Sequence, residues 1–146
     1  MVHGAALAIA PTADASCEVV WRVLAEARRL GVGSVVVVRR ARDGSLAGQA
    51  IALVDEPAPD ARGEVVIRVR PAYLIIERNA DHSLIARTRG EDGLAADLPE
   101  LQRTVARGGT RHVAVTFAGE ARAADVLQVA LALASQGAAP VGFVVR

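Results

Sequence analysis

The residues able to do chemistry are few and scattered. One cysteine, Cys17, and three histidines, His3, His82 and His112, stand in a chain of 146 residues. Cys17 falls near the start of a predicted helix, where the helix dipole lowers a thiol pKa. No histidine adjoins it in the sequence. The expected role is that of a small buried apolar residue, with a reactive thiol as the alternative. A single cysteine makes no internal disulfide and no multi-cysteine metal site. The histidines share no ligand spacing such as HxxxH, and His112 reads as a polar residue opening a strand. Asp14, Glu18, Glu77, Asp81, Glu91, Asp92, Glu120 and Asp125 are dispersed and mark no general acid–base pair. A solvated surface is their expected place.

Phosphate chemistry fares no better. The GVGS run beginning at Gly31 follows a predicted helix, whereas a phosphate-binding loop follows a strand and opens a helix. The turns that do join strand to helix, PTADAS and AGEARA, lack a glycine nest and carry acids that repel phosphate. Arg68, Arg70, Arg78, Arg87 and Arg89 fall on or beside predicted strands, and are expected to face solvent. Contact with an anionic polymer is the alternative. No catalytic residue, cofactor or metal is expected.

Composition narrows the classes further. The hydrophobic share is 52%, ample for a core, while aromatic residues make up 3%, too few for a base-stacking surface. The formal net charge of +1 supplies no strong field toward nucleic acid or an anionic membrane. Lysine is absent. No apolar run approaches the roughly 20 residues of a membrane helix, and the opening MVHGAALAIAPTADA lacks the basic start of a secretory signal.

The elements that must position these residues follow from periodicity. Residues 112–117 form an apolar strand, and a helix follows with Val126, Val129, Ala130 and Leu133 at i, i+3, i+4 and i+7. Gly137 stops it, and residues 141–145 make a second strand. This is a βαβ unit, whose strands should run parallel. An earlier stretch repeats it: a short strand at 7–10, a helix over 15–29 capped by Asp14 or Ser16, and a stop at Gly31. A valine strand at 34–38 closes the unit and suggests burial on both faces. The helix should bury Val20, Val23, Leu24 and Ala27, and pair Glu18, Arg22 and Glu26 on another face. An offset of 106 superposes the two units without a gap, bringing Val23 onto Val129, Gly31 onto Gly137 and Val35 onto Val141. An internal duplication is the expected explanation.

Between the units, residues 41–49 read as a loop and 50–54 as a short strand. Residues 55–63 (DEPAPDARG) read as a linker, dividing a partial βαβ repeat over 1–54 from a domain over 64–146. In the latter, strands are expected at 64–70, interrupted by Pro71 and resuming at 72–77, then at 83–88 after a hairpin turn at 79–81. Asp97 is expected to cap a helix with Pro99 in its first turn, an edge of Leu98, Leu101 and Val105, and an end at Gly108-Gly109. The expected fold is α/β (α+β), β-β-α-β-α-β with two helices on one face of a mixed four- or five-stranded sheet, preceded by the extra βαβ half-repeat.

This order resembles the periplasmic globular domain of the ExbD/TolR family of biopolymer-transport proteins, over about residues 73–146. The residues that carry the likeness are LPELQRTVARGG, the strand HVAVTF, and the valine-rich helix, glycine and valine strand that follow. The family's Ala-Asp pair and Tyr after that strand are replaced here by Ala118-Gly119-Glu120 and Ala123. The resemblance implies a non-enzymatic accessory or stator-type part of an apparatus driven by the proton-motive force, located in the cell envelope or periplasm. It further implies a homodimer that contacts an ExbB/TolQ-like membrane partner or peptidoglycan, through an uncovered sheet face or unpaired edge strand. The family's transmembrane helix and membrane-embedded aspartate have no counterpart in this sequence. Either an anchor lies upstream, or a degenerate repeat donates its βαβ to the second unit's sheet or to a second chain. The alternative function is a small-molecule-binding regulatory module with a cleft between the two βαβ units, in the cytoplasm.

Overall fold

The computed structural model describes residues 7–10, 15–40, 43–58, 61–78, 81–90, 93–107, 109–117, 120–137 and 139–145. In chain order the elements are β1 (Leu7–Ile9), α1 (Cys17–Arg29), β2 (Ser34–Arg40), β3 (Leu46–Val54), β4 (Glu64–Val69) and β5 (Tyr73–Arg78). There follow β6 (Asp81–Ala86), α2 (Gly93–Ala106), β7 (His112–Phe117), α3 (Ala123–Gln136) and β8 (Val141–Val144). All eight strands form one mixed sheet in the order β1-β2-β3-β8-β7-β4-β5-β6. Each strand–helix–strand unit contributes a parallel pair, β1 with β2 and β7 with β8. The sheet is larger than the four or five strands expected because β3 pairs in parallel with β8, so residues 1–54 and 64–146 share one sheet.

The three helices pack on one side of that sheet. Cys17, Trp21 and Leu24 of α1, Leu94, Leu101 and Val105 of α2, and most of α3 join one core with Val35, Val37, Ile51, Val65, Ile67, Leu74, Val115 and Phe143. Burial alternates along β2, where Val35 and Val37 are buried and Val36 and Val38 only half-buried. The valine run is therefore covered on one face, not two, because among the described residues no helix lies on the other side. On α1 the buried stripe is Cys17, Trp21, Leu24 and Ala27, and Val23 is 50% exposed. The stripe turns from the expected one because Trp21 takes the core. Its ring meets Phe117 and Phe143 edge-on at 5.1 and 5.3 Å, and its Nε1–H donates to the Val144 carbonyl at 2.7 Å.

Ser16 is the N-cap of α1 and accepts from the Val19 N–H at 3.3 Å; Asp14 lies outside the described residues. Glu18 pairs with Arg22 as expected, but Glu26 pairs with Arg29 instead. Gly137 ends α3 in the left-handed region at φ 71°, where a side chain would be strained. Three strand boundaries differ from expectation. β3 begins at Leu46 inside the expected loop, because residues 46–52 pair backbone to backbone with β2. Pro71 does not interrupt one strand but sits in a turn, after which β5 folds back antiparallel on β4. The segment is thus β-β-β-α-β-α-β. Asp81 opens β6, and residues 79–80 of the expected turn lie outside the described residues.

α2 starts at Gly93, four residues before the expected cap. Asp97 is a buried residue within it, and Pro99, also interior, sits on the exposed side. Leu98 is only half-buried, while Leu101 and Val105 are core; Gly108 lies outside the described residues.

Residues 55–63, expected as a linker, join β3 to β4, which run parallel with β8 and β7 between them. A right-handed crossover in this direction passes over the face away from the helices. There Glu56 ion-pairs with Arg68, and Pro57 stands with Ala52, Ala114 and Gly142. This strap accounts for the small second cluster of Val66, Ala114 and Val144, buried on the helix-free face.

Candidate functional site

The sheet's two outer strands differ. β1 is three residues long, with Leu7 and Ile9 half-buried. β6 has six residues in unbroken antiparallel register with β5, and only Ile85 among them is buried. Its inner face holds Ile85 against the core, while Leu84 on the opposite face is 65% exposed. β6 has no proline, lysine or bulge, the devices that blunt an edge strand.

The backbone direction of β6 is fixed by its neighbours. Arg87 N–H donates to the Ala72 carbonyl at 2.8 Å, one step beyond the last registered pair, Tyr73 with Ala86. Arg70 N–H donates to the Tyr73 carbonyl at 3.0 Å, so Tyr73 bonds toward β4. In an antiparallel ladder, bonded and non-bonded pairs alternate. Ile85, Ser83 and Asp81 therefore bond inward to β5, and His82, Leu84 and Ala86 direct their N–H and C=O groups away from the sheet. Among the described residues no strand pairs with them.

A buried polar cluster anchors the chain where it leaves β6. The Arg87 guanidinium donates to the Arg70 carbonyl at 3.2 Å and to Asp125 at 3.4 Å, and its Nε lies 3.9 Å from Asp97. Asp97 accepts from Thr88 N–H at 3.0 Å and from its hydroxyl at 2.5 Å. One arginine thus ties the end of β6 to both α2 and α3. Charges buried in this way hold only while paired, and losing one partner strands the other in low dielectric. Arg122 flanks Asp125 at 3.6 Å from the solvent side.

Three clefts are lined by both halves of the chain, the largest, of about 690 Å³, by Glu18, Trp21, Arg22, Arg68, Thr116 and Val144. Two others bear on the strand–helix turns and the strap. One, of about 520 Å³, lies between the starts of α1 and α3, bounded by Ser16, Cys17, Glu18, Phe117, Glu120 and Arg122. There Ser16 and Arg122, positions 106 apart, form an antiparallel bridge. The other, of about 290 Å³, lies under the strap, with a floor of Ala52, Ala114 and Gly142 and a rim of Glu64 and His112.

The residues singled out by type do not converge. Cys17 is 3% exposed, and burial, with the Asp125 carboxylate second, pushes its thiol up to about 11. That suits the buried apolar role, since a thiol so held carries little thiolate at neutral pH. His82 and His112 lie on different strands and pair with Glu77 at 3.4 Å and Glu64 at 2.8 Å; His3 lies outside the described residues. Glu120 is exposed, as expected of a solvated acid, whereas Asp125 is buried against Arg87. Glu91 and Asp92 lie outside the described residues. Among the described residues no three His, Cys, Asp or Glu side chains gather as a metal site.

The arginines do not form one cationic face either. Arg68 is clasped by Glu77 and Glu56, whose hydrogen bonds hold its guanidinium protonated above the ordinary value. Arg70 donates to the Tyr73 hydroxyl at 2.8 Å, and Arg78 binds the carbonyls of Thr104, Val105 and Arg107 at the end of α2. Arg87 is nearly buried, while Arg89 is exposed. Sequence reasoning did not find the Arg87–Asp97–Asp125 cluster. Its one signal was Asp125, the one charged residue of α3.

Among the described residues no helix is long and apolar enough to cross a membrane. Comparisons with protein-family models, with curated proteins and with solved structures return no match.

Proposed function

We propose that this chain is a non-enzymatic association module that works by pairing with a second copy through the edge of its sheet. The observation that carries the reading is β6, a regular edge strand with outward backbone groups and an exposed leucine. Such an edge is a template for another strand. The wider setting is an envelope-side accessory of a proton-driven biopolymer-transport apparatus, bearing on a membrane motor partner or peptidoglycan. That setting rests on the resemblance of residues 73–146 alone.

Sedimentation velocity across a concentration series tests the pairing. A chain of 15.2 kDa should approach twice that mass as concentration rises. A mass that stays at the single-chain value up to millimolar concentration would overturn the reading. Fractionation of native cells tests the setting: protein recovered with the envelope supports it, and protein wholly free of the envelope removes it.

A second reading is favoured by the 520 Å³ cleft, which both strand–helix turns line. It makes the chain a small-molecule-binding regulatory module. A ligand that raises the melting temperature of the native chain but not of a Glu18→Trp variant would support this reading over the first.

A further inference from the structure

We infer that β6 pairs antiparallel with β6 of a second copy, with Leu84 on the two-fold axis, so that the two sheets become one continuous sheet. The inference rests on the two-copy reading and specifies its register. The outward residues are His82, Leu84 and Ala86, spaced evenly about Leu84. A two-fold through Leu84 sets it opposite its own copy, and sets His82 opposite the second copy's Ala86. Every outward N–H then meets an outward C=O, in the bonded pairs of an antiparallel ladder. Moving the axis to Ser83 or Ile85 sets one outward residue of each copy opposite a position beyond the bounds of β6, Asp81–Ala86.

Side chains agree with this register. Pairing across a perpendicular two-fold keeps each residue on its own face, so Ile85 stays on the helix side and Leu84 stays on the strap side. The two exposed leucines become a cross-strand apolar pair, the unit by which sheets gain stability. Ser83 meets the second copy's Ile85, and Asp81 meets the position of Arg87, whose guanidinium stays within its own buried cluster. No like charges stand opposite one another. The other edge strand, β1, offers three residues among those described. The Arg87 cluster holds the end of β6 in place before any partner arrives, so little ordering remains to be done on association.

Directly opposed residues in a bonded antiparallel pair have Cα atoms about 5.5 Å apart, within disulfide reach. The test is cross-linking of Leu84→Cys in a Cys17→Ala background, under copper–phenanthroline oxidation, with sedimentation run alongside. Leu46→Cys, at a site equally exposed but remote from β6, reports random collision. Asp81→Cys, at the strand's end, reports the register, since the two copies of residue 81 stand about 20 Å apart in it.

Leu84→Cys should form a covalent dimer at least about 10-fold faster than either control, and Leu84→Lys, by placing like charges in opposition, should weaken the dimer at least about 10-fold. A dimer by sedimentation with no preferential Leu84 cross-link would overturn the register and leave the two-copy reading standing. A chain monomeric at all concentrations would overturn both. Preferential cross-linking at residue 81 would shift the axis and overturn the register by itself.

Discussion

The stretches 7–39 and 113–145 register at an offset of 106, yet they occupy unlike places in the molecule. The later unit sits in the middle of the sheet, with β7 between β8 and β4 and α3 packed against both other helices. The earlier unit sits at the rim, with β1 on the edge. Burial follows position, not sequence. Val129 on α3 is fully buried, while Val23, its counterpart on α1, is half exposed. Asp125 is enclosed by Arg87 and Arg122; Val19, its counterpart, faces solvent. The exposed member of that pair is the valine and the buried one the aspartate, the reverse of what residue type alone suggests. The two outer strands differ as well: β1 has three residues and β6 has six.

Equivalent substitutions in the two units should therefore give unequal results, measured by urea denaturation. The largest contrast is at the first helical turn. Asp125→Ala should cost about 3–5 kcal/mol by leaving Arg87 buried beside a missing partner, whereas Val19→Ala should stay within about 0.5 kcal/mol. Equal losses would mean that Arg87 is not held as described. The next contrast is between the paired valines. Val129→Ala should cost about 2 kcal/mol and Val23→Ala less than about 0.5 kcal/mol. A smaller contrast lies at the helix starts. Ser16 caps α1 through its side chain, while Arg122 makes no such bond at α3. Ser16→Ala should cost about 1 kcal/mol and Arg122→Ala under about 0.5 kcal/mol.

The last contrast, between Cys17 and its counterpart Ala123, shows only in alkali. Because folding raises the Cys17 thiol to about 11, the folded state keeps its proton where the unfolded chain has lost it. Stability from this group is intact below the ordinary thiol range and declines as pH rises from about 9 toward 11. Cys17→Ala should flatten that decline. In the native chain, thiol labelling at pH 8 should run on the order of 100-fold slower than in urea; equal rates would contradict a buried thiol.

Much of the fold is legible in local sequence. The α3 stripe, the Gly137 stop, the Ser16 cap and the parallel β7–β8 pair all follow from neighbours within a few residues. The start of β3 is not, because Leu46, Ala47, Gly48 and Gln49 show no alternation and are all exposed; only pairing with β2 makes them a strand. α1 misled for a different reason: a valine stripe and a tryptophan competed for the core, and the larger side chain took it. The candidate site was legible only as a possibility, that of an unpaired edge. Which edge stays open depends on how eight strands line up, and the Arg87 cluster draws on residues from a strand end and two helices. Neither leaves a mark in any short window.

Small-angle X-ray scattering at concentrations that populate the associated form tests the central claim most directly. Two sheets of eight strands joined edge to edge span about 75 Å across the strands, at about 4.8 Å per strand. The predicted result is an elongated dimer of that length, which reverts to the single-chain profile in Leu84→Lys. A compact dimer stacked face to face, or a scattering mass that never exceeds one chain, would contradict the claim.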